Sequence, residues 1–254
     1  MKILVTGANG NVARSLISNL SGIGYQVCAL SSKSHLSEEF LDLKKGYGIA
    51  VLDGVSGVIH CAVNPDLIIN DIEKDFLNSV VSKNIKLFYV GSTSSYLVER
   101  NDYGKYKKAV ENYVENIGGL VLTCGLLYGD NFHGQISFLE KILMKLPFNI
   151  SLTGSKYIYL TKISTLSSSI NEILVKNKNI KGRILLFDSS QLKFNSFLSK
   201  LSGNKKFTIL ISSRLLMVLL KLLPAKLNYF SADRLKGLLS EFEPDLIDKA
   251  HYPD

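Results

Sequence analysis

Short apolar, β-branched runs alternate with longer amphipathic ones through the first half of the chain. The apolar runs fall at residues 3–6, 26–30, 58–62, 86–91 and 120–124, and a 3.6-residue repeat covers 11–20, 66–82 and 103–116. A strand that reads as a nearly unbroken apolar run is buried on both faces, and strands joined through helices run parallel. The pattern predicts an α/β fold, a Rossmann-type doubly wound parallel sheet with helices on both sides. Between residues 31 and 57 the rhythm is compressed, leaving room for a short strand at 40–41 and a poorly formed helix before Gly54.

After Tyr128 helical periods dominate, at 135–145, 162–175, 191–201, 213–223 and 232–239, with one clear strand at 183–187. This half reads as a small, mostly helical lobe. The chain then divides into a sheet domain at 1–130 and a lobe at 131–254 that is partly interleaved with the sheet; no Gly/Ser-rich or Pro-rich linker parts them.

Composition changes this picture little. Of 254 residues, 46% are hydrophobic and 20% charged, as in an ordinary folded domain. The net charge of +8 comes from scattered lysines, and the clusters Lys44–Lys45, Lys105–Lys107–Lys108 and Lys205–Lys206 lack a recognition-helix or stacking-aromatic setting. An anionic small molecule is a better match for that charge than nucleic acid. Cys28, Cys61 and Cys124 lie far apart at predicted strand ends, and the four histidines form no ligand spacing with them, so reduced thiols and no metal are expected. The N-terminal apolar run is a strand rather than a signal sequence, and the apolar stretch at 215–224 is too short to span a bilayer, which predicts a cytoplasmic protein with no transmembrane segment.

The first chemistry appears where the first strand ends, in Thr6-Gly7-Ala8-Asn9-Gly10-Asn11-Val12-Ala13. Gly7 permits a tight turn out of the strand, Gly10 removes a Cβ where a pyrophosphate must approach the backbone, and Ala13 lets the helix pack near the strand. The helix N-terminus that follows offers free N–H groups and a partial positive charge to phosphates. Gly7, Asn9, Gly10, Asn11 and Val12 are therefore candidate dinucleotide-binding residues, residues 1–130 a dinucleotide-binding domain and residues 131–254 a substrate-binding lobe. A carboxylate at the end of the second strand would bind the ribose 2′-hydroxyl of NAD and repel a 2′-phosphate. Ser31, Ser32 and Lys33 stand there instead, which favours NADP with NAD as the alternative.

A second candidate is Tyr103 with Lys107. With 12 tyrosines in the chain about one Tyr-x-x-x-Lys is expected by chance, so its setting matters more than the match. The pair opens the helix that follows the strand at 86–91, and that strand ends in Ser92, Thr93, Ser94 and Ser95. Residues four apart share a helical face, which sets the ammonium beside the phenol and within reach of a nicotinamide ribose. An ordinary phenol is a poor base at neutral pH, and a neighbouring cation favours its ionised form.

Together, T-G-x-x-G-x-x-A at the N-terminus, "VIHCA" at 58–62, "GSTSSY" at 91–96, "YGKYK" at 103–107, "LLYGD" at 126–130 and "FSADRLKGLL" at 230–239 resemble the extended short-chain dehydrogenases/reductases, and within them the NAD(P)-dependent nucleotide-sugar epimerase/dehydratase group. The resemblance implies that Tyr103 transfers a proton, that Ser92, or alternatively Thr93 in the substrate site, positions the substrate oxygen, and that Tyr128 lies in the substrate site. It also implies cofactor contacts from Asp42, Leu43, Cys61, Ala62, Tyr103 and Lys107, and a homodimer formed through the helices at 66–82 and 103–116. The loop from Ser92 to Tyr103 is shorter than in typical epimerases, Thr123 stands where the group commonly has Arg, and the Asp-Glu pair of its dehydratases is missing after Ser92. The implied activity is an NAD(P)-dependent oxidoreductase or epimerase acting on a nucleotide-activated sugar. A keto-sugar reductase is favoured over a 4-epimerase that retains NAD, and over a non-catalytic dinucleotide-sensing regulator.

Overall fold

The computed structural model describes residues 1–32, 41–129, 135–154, 157–188, 192–203, 205, 207–212, 215 and 241–242. Its elements are, in chain order, β1 (Lys2–Thr6), α1 (Asn11–Ile23), β2 (Gln26–Leu30), β3 (Leu41–Asp42), β4 (Gly46–Tyr47), a 3-10 turn (Ile49–Leu52), β5 (Val55–His60), α2 (Asp71–Ser82), β6 (Lys86–Ser92), a second 3-10 turn (Thr93–Tyr96), α3 (Asp102–Asn116), β7 (Leu120–Cys124), β8 (Leu126–Tyr128), α4 (Gln135–Lys145), β9 (Asn149–Thr153), β10 (Tyr157–Ile158), β11 (Leu160–Lys162), α5 (Ile163–Val175), β12 (Gly182–Leu186), β13 (Leu192–Lys193), α6 (Phe194–Ser202) and β14 (Thr208–Ser212).

Six strands form one parallel sheet in the order β12-β7-β6-β5-β1-β2. Alternate side chains leave a strand on opposite faces, and the buried residues sort accordingly. Ile3, Val5, Phe88, Val90, Leu120 and Leu122 pack under α1 and α5, whereas Leu4, Leu87, Tyr89 and Val121 pack under α2 and α3. Both faces of the sheet are therefore dry, which is why its strands read as continuous apolar runs. The strand order reverses between β1 and β5, and the carboxyl ends of these strands flank the crevice where doubly wound sheets take ligands.

Helix α2 begins five residues later than the apolar period suggests. Asn70 ends the preceding turn and its side chain accepts the Glu73 N–H, so the helix starts at the cap rather than at the first periodic residue. The strand expected at 40–41 is the β3–β4 hairpin, and the helix before Gly54 is a single 3-10 turn.

Beyond residue 129, strands are more prominent among the described residues than the apolar pattern predicts. β9 pairs in parallel with β14, β10 antiparallel with β13, and β11 in parallel with β8. α4 and α6 pack with β9 around Phe194, Phe197, Leu198 and Leu143. β12 and α5 instead join the main sheet and its α1 face. The helix expected at 232–239, and the one at 213–223 save Leu215, lie outside the described residues. Among those that are described, no helix is long and apolar enough to cross a membrane.

Candidate active site

The chain leaves β1 at Gly7, whose φ of 70° is a left-handed value that costs a side-chain-bearing residue energy. Space demands glycine there as well: a Cβ would stand 2.8 Å from the Ala62 nitrogen, because the turn lies directly against the end of β5. Gly10 donates to the Gly7 carbonyl at 2.8 Å, and Ala8 donates to Leu30 at the end of β2 at 2.9 Å, so the turn sits between the ends of three strands. Helix α1 then starts with Gly10 as its N-cap, with no side-chain cap and no acidic residue in its first turn. Asn9 and Gly10 are exposed and Asn11 and Val12 half-buried, while Ala13 is fully buried against the sheet. The partial positive charge of this helix end faces the crevice unopposed by any carboxylate of its own first turn.

The wall opposite is built from a buried polar network. Thr6 Oγ1 accepts the Cys61 and Ala62 N–H groups at 3.1 and 3.2 Å and lies 2.9 Å from His60 Nδ1. With both lone pairs engaged, the threonine hydroxyl donates to Nδ1, which leaves the imidazole proton on Nε2 to donate to Glu73 Oε1 at 3.1 Å. Tyr106 donates to the same oxygen at 2.6 Å and accepts the Asn64 N–H at 3.1 Å. Burial, reinforced by the Glu73 charge, pushes the Tyr106 phenol well above its ordinary value, so it remains a donor. The network fixes the backbone of residues 61–64 beside the glycine turn. Periodicity carries no trace of it, since its partners are up to 56 residues apart. His60 and Glu73 read as a strand end and a helix surface, yet both are fully buried.

Burial also raises the Cys61 thiol to about 12, although the Lys107 ammonium pulls it down, so the sulfur stays protonated. Among the described residues no group of three His, Cys, Asp or Glu side chains could hold a metal ion.

Ser92 ends β6, and its hydroxyl oxygen accepts the Ser94 N–H at 3.2 Å, which leaves the hydroxyl proton available to a ligand. Thr93 follows it, half-buried, in the 3-10 turn. Helix α3 starts at the next corner, capped by Asn101, whose side chain accepts the Gly104 N–H at 2.9 Å. Gly104 lets this first turn press onto the serine turn: a Cβ there would meet the Ser94 carbonyl oxygen at 2.5 Å. Tyr103 stands on that turn, 37% exposed, and Lys107 follows on the same face, 4% exposed. Lys107 Nζ donates to the Val90 carbonyl at 2.9 Å and lies 4.6 Å from the centre of the Tyr89 ring and 5.8 Å from that of Tyr103. Among the described residues one protein oxygen takes one of its three donors, which leaves two that a ligand can use.

Ser92, Tyr103 and Lys107 are thus brought together at the carboxyl end of β6, and the glycine turn lies two strands away across β5, roughly 10 Å at the usual strand spacing. Other expected residues are placed differently. Ser31 and Ser32 follow β2 beside the turn with no carboxylate between them, and Lys33 lies outside the described residues. Asp42 Oδ1 accepts the Lys44 N–H within its own hairpin at 2.9 Å. The Leu43 side chain is buried in the α2-side core, and its carbonyl accepts from Asn70. Tyr128 ends β8, where burial and then the Asp188 carboxylate raise its phenol above the ordinary value.

No family model matches the sequence, and no curated protein does. The fold, in contrast, is shared with many solved structures. A dTDP-4-dehydrorhamnose reductase from Bacillus anthracis, in complex with NADP, superposes with a TM-score of 0.66 at 16% identity over 84% of this chain and 85% of its own. A UDP-N-acetylglucosamine 4-epimerase from Bacillus cereus gives 0.64 at 17% identity over 84% and 85%. A dTDP-glucose 4,6-dehydratase from Bacillus anthracis, in complex with NAD, gives 0.64 at 15% over 84% of each chain. At these identities the likeness is one of fold.

Proposed function

We propose that this protein is an NAD(P)-dependent short-chain oxidoreductase that reduces the keto group of a nucleotide-activated sugar. The observation that carries the reading is the convergence of Ser92, Tyr103 and Lys107 two strands from an uncapped helix end. The solved structures that share this fold include a dTDP-4-dehydrorhamnose reductase in complex with NADP, which supports the same chemistry.

The described residues fit a dinucleotide. The bare Gly10, the open end of α1 and the crevice between β1 and β5 suit a diphosphate, and the two remaining donors of Lys107 suit ribose hydroxyls. Ser31 and Ser32, in place of a carboxylate, admit a 2′-phosphate and favour NADP over NAD. When bound, that cofactor supplies the hydride. The chain supplies the rest: Ser92 donates a hydrogen bond to the substrate carbonyl oxygen, polarising it, and Tyr103 donates the proton that converts the oxygen to hydroxyl as its carbon is reduced. Lys107 Nζ stands 5.8 Å from the centre of the Tyr103 ring, on the same face of α3. The 37% exposure of Tyr103 gives it both access to a sugar and a route for re-protonation from solvent.

The test is direct. Protein purified without added ligand is examined by mass spectrometry and then assayed for NADPH consumption with dTDP-4-dehydro sugars. An empty site with NADPH-dependent reduction supports the reading, whereas tightly retained NAD identifies an epimerase. Failure to bind either dinucleotide would contradict both.

A further inference from the structure

Ser92 is held by a carboxylate from the helix that bears Tyr103 and Lys107. Glu111 stands four residues beyond Lys107 and eight beyond Tyr103, so the three share one face of α3. It is fully buried, and both of its oxygens are engaged. Oε1 accepts the Ser92 N–H at 3.0 Å; Oε2 accepts the Ser95 hydroxyl at 2.7 Å and lies 3.2 Å from an Arg183 guanidinium nitrogen. The single Ser95 hydroxyl proton is shared between Oε2 and the Ser92 carbonyl, 2.8 Å from Ser95 Oγ, so the Ser92 N–H is tied directly to the carboxylate and its carbonyl sits against the same hydroxyl. Arg183, from the edge strand β12, completes the clamp by holding Glu115 one turn further along α3 at 2.9 and 2.7 Å, and by donating to the Tyr96 hydroxyl.

A buried acid is poor value as packing, since an apolar side chain of the same size is commonly as stable. Burial pushes the Glu111 carboxyl above its ordinary value, and Ser95, Ser92, Arg183 and Lys107 only partly counter it. The chain also gives up a side chain to admit it, because a Cβ on residue 91 would stand 2.8 Å from Glu111 Oε1. What the acid does that an apolar residue cannot is accept the N–H of the residue whose hydroxyl must face the substrate.

We propose that Glu111, with Arg183 as its counter-ion, is a positioning residue that fixes Ser92 against Tyr103 by locking the end of β6 to helix α3. The proposal rests on the reading of Ser92 as the group that contacts the substrate oxygen. A carboxamide has one acceptor oxygen, so in Glu111→Gln either orientation sets an NH2 group against the Ser92 N–H or against the Arg183 guanidinium, neither of which can accept.

Two readouts test this, and they fail separately. Amide hydrogen exchange in the free protein, which needs no catalysis, is expected to quicken at Ser92 by about tenfold or more in Glu111→Gln, with a smaller rise in Arg183→Lys. With NADPH and dTDP-4-dehydrorhamnose, Glu111→Gln is expected to lower kcat by roughly 10- to 100-fold while the NADPH Kd stays within about twofold. Because Glu111 acts through Ser92, the double variant Ser92→Ala/Glu111→Gln should be no slower than Ser92→Ala within about twofold. Unchanged exchange at Ser92, or losses that multiply in the double variant, would overturn the proposal. Absence of NADPH binding in the unmodified protein would contradict the proposed function instead, and the exchange data would still decide the anchor. Should Glu111→Gln not fold, Arg183→Lys carries both readouts.

Discussion

Among the helices that start at the carboxyl edge of the sheet, α2 and α3 are finished differently from α1. α2 and α3 are each capped by an asparagine, Asn70 and Asn101, and carry acids in their first turns. α1 starts at a bare glycine with no side-chain cap and no acid. All three ends carry about the same partial positive charge, so they differ in what neutralises it. α3 satisfies its end internally and gains a rigid first turn on which Tyr103 stands. α1 leaves its end to something anionic from outside. One edge of the molecule thus combines a sealed terminus that positions chemistry with an open one that holds charge.

The sharpest way to break this comparison is at the sealed terminus. Tyr103→Phe removes the proton donor and keeps the ring, so kcat should fall by about 100-fold or more while NADPH affinity stays within about twofold, as steady-state kinetics and a binding titration would show. The open terminus should respond in the opposite sense. Gly10→Asp supplies the missing cap at an extended backbone conformation, φ −77° and ψ 149°, with its Cβ 3.2 Å from the Gly7 carbonyl oxygen. Its carboxylate repels a diphosphate, so NADPH affinity should drop by roughly tenfold or more, while the cap offsets the tight contact and the melting temperature changes little. Asn101→Ala should loosen the sealed end, lowering stability by about 1 kcal/mol in denaturant unfolding and slowing turnover a few-fold without altering NADPH affinity.

The smallest effect concerns pH. The folded-state pKa of Glu111 is raised above the usual 4.5, chiefly by burial, with Arg183, Lys107, Ser92 and Ser95 opposing. Between 4.5 and that raised value the native state holds more protons than the unfolded one, so this group's contribution to stability falls as pH rises through the window. The thermal stability of the unmodified protein minus that of Glu111→Gln should therefore decline across this range and level off above it.

The central sheet was legible because its strands are buried on both faces and its helices on one, which imprints the two periods on the sequence. Lys86, Gln26 and Leu120 begin strands where the apolar runs begin. The β9–β14 pair was not legible: Thr208–Ser212 is mostly exposed and carries no burial pattern, and its partner lies 59 residues earlier. α6 starts three residues later than its period suggests because Leu192 and Lys193 pair with Ile158 and Tyr157. In the site, Gly7, Gly10, Tyr103 and Lys107 were readable because local spacing encodes them. His60, Glu73, Tyr106, Glu111 and Arg183 were not, since each gains meaning from a partner that only the fold brings near. Gly104 is intermediate: a glycine beside the tyrosine was visible, but the Ser94 carbonyl that demands it was not.

A crystal structure of the protein with NADP tests the account most directly. It should show the diphosphate against the amides that open α1, with the nicotinamide ring between Ser92 and Tyr103 and its ribose on Lys107. A diphosphate seated away from α1, or a ring that leaves Tyr103 facing only solvent, would contradict it.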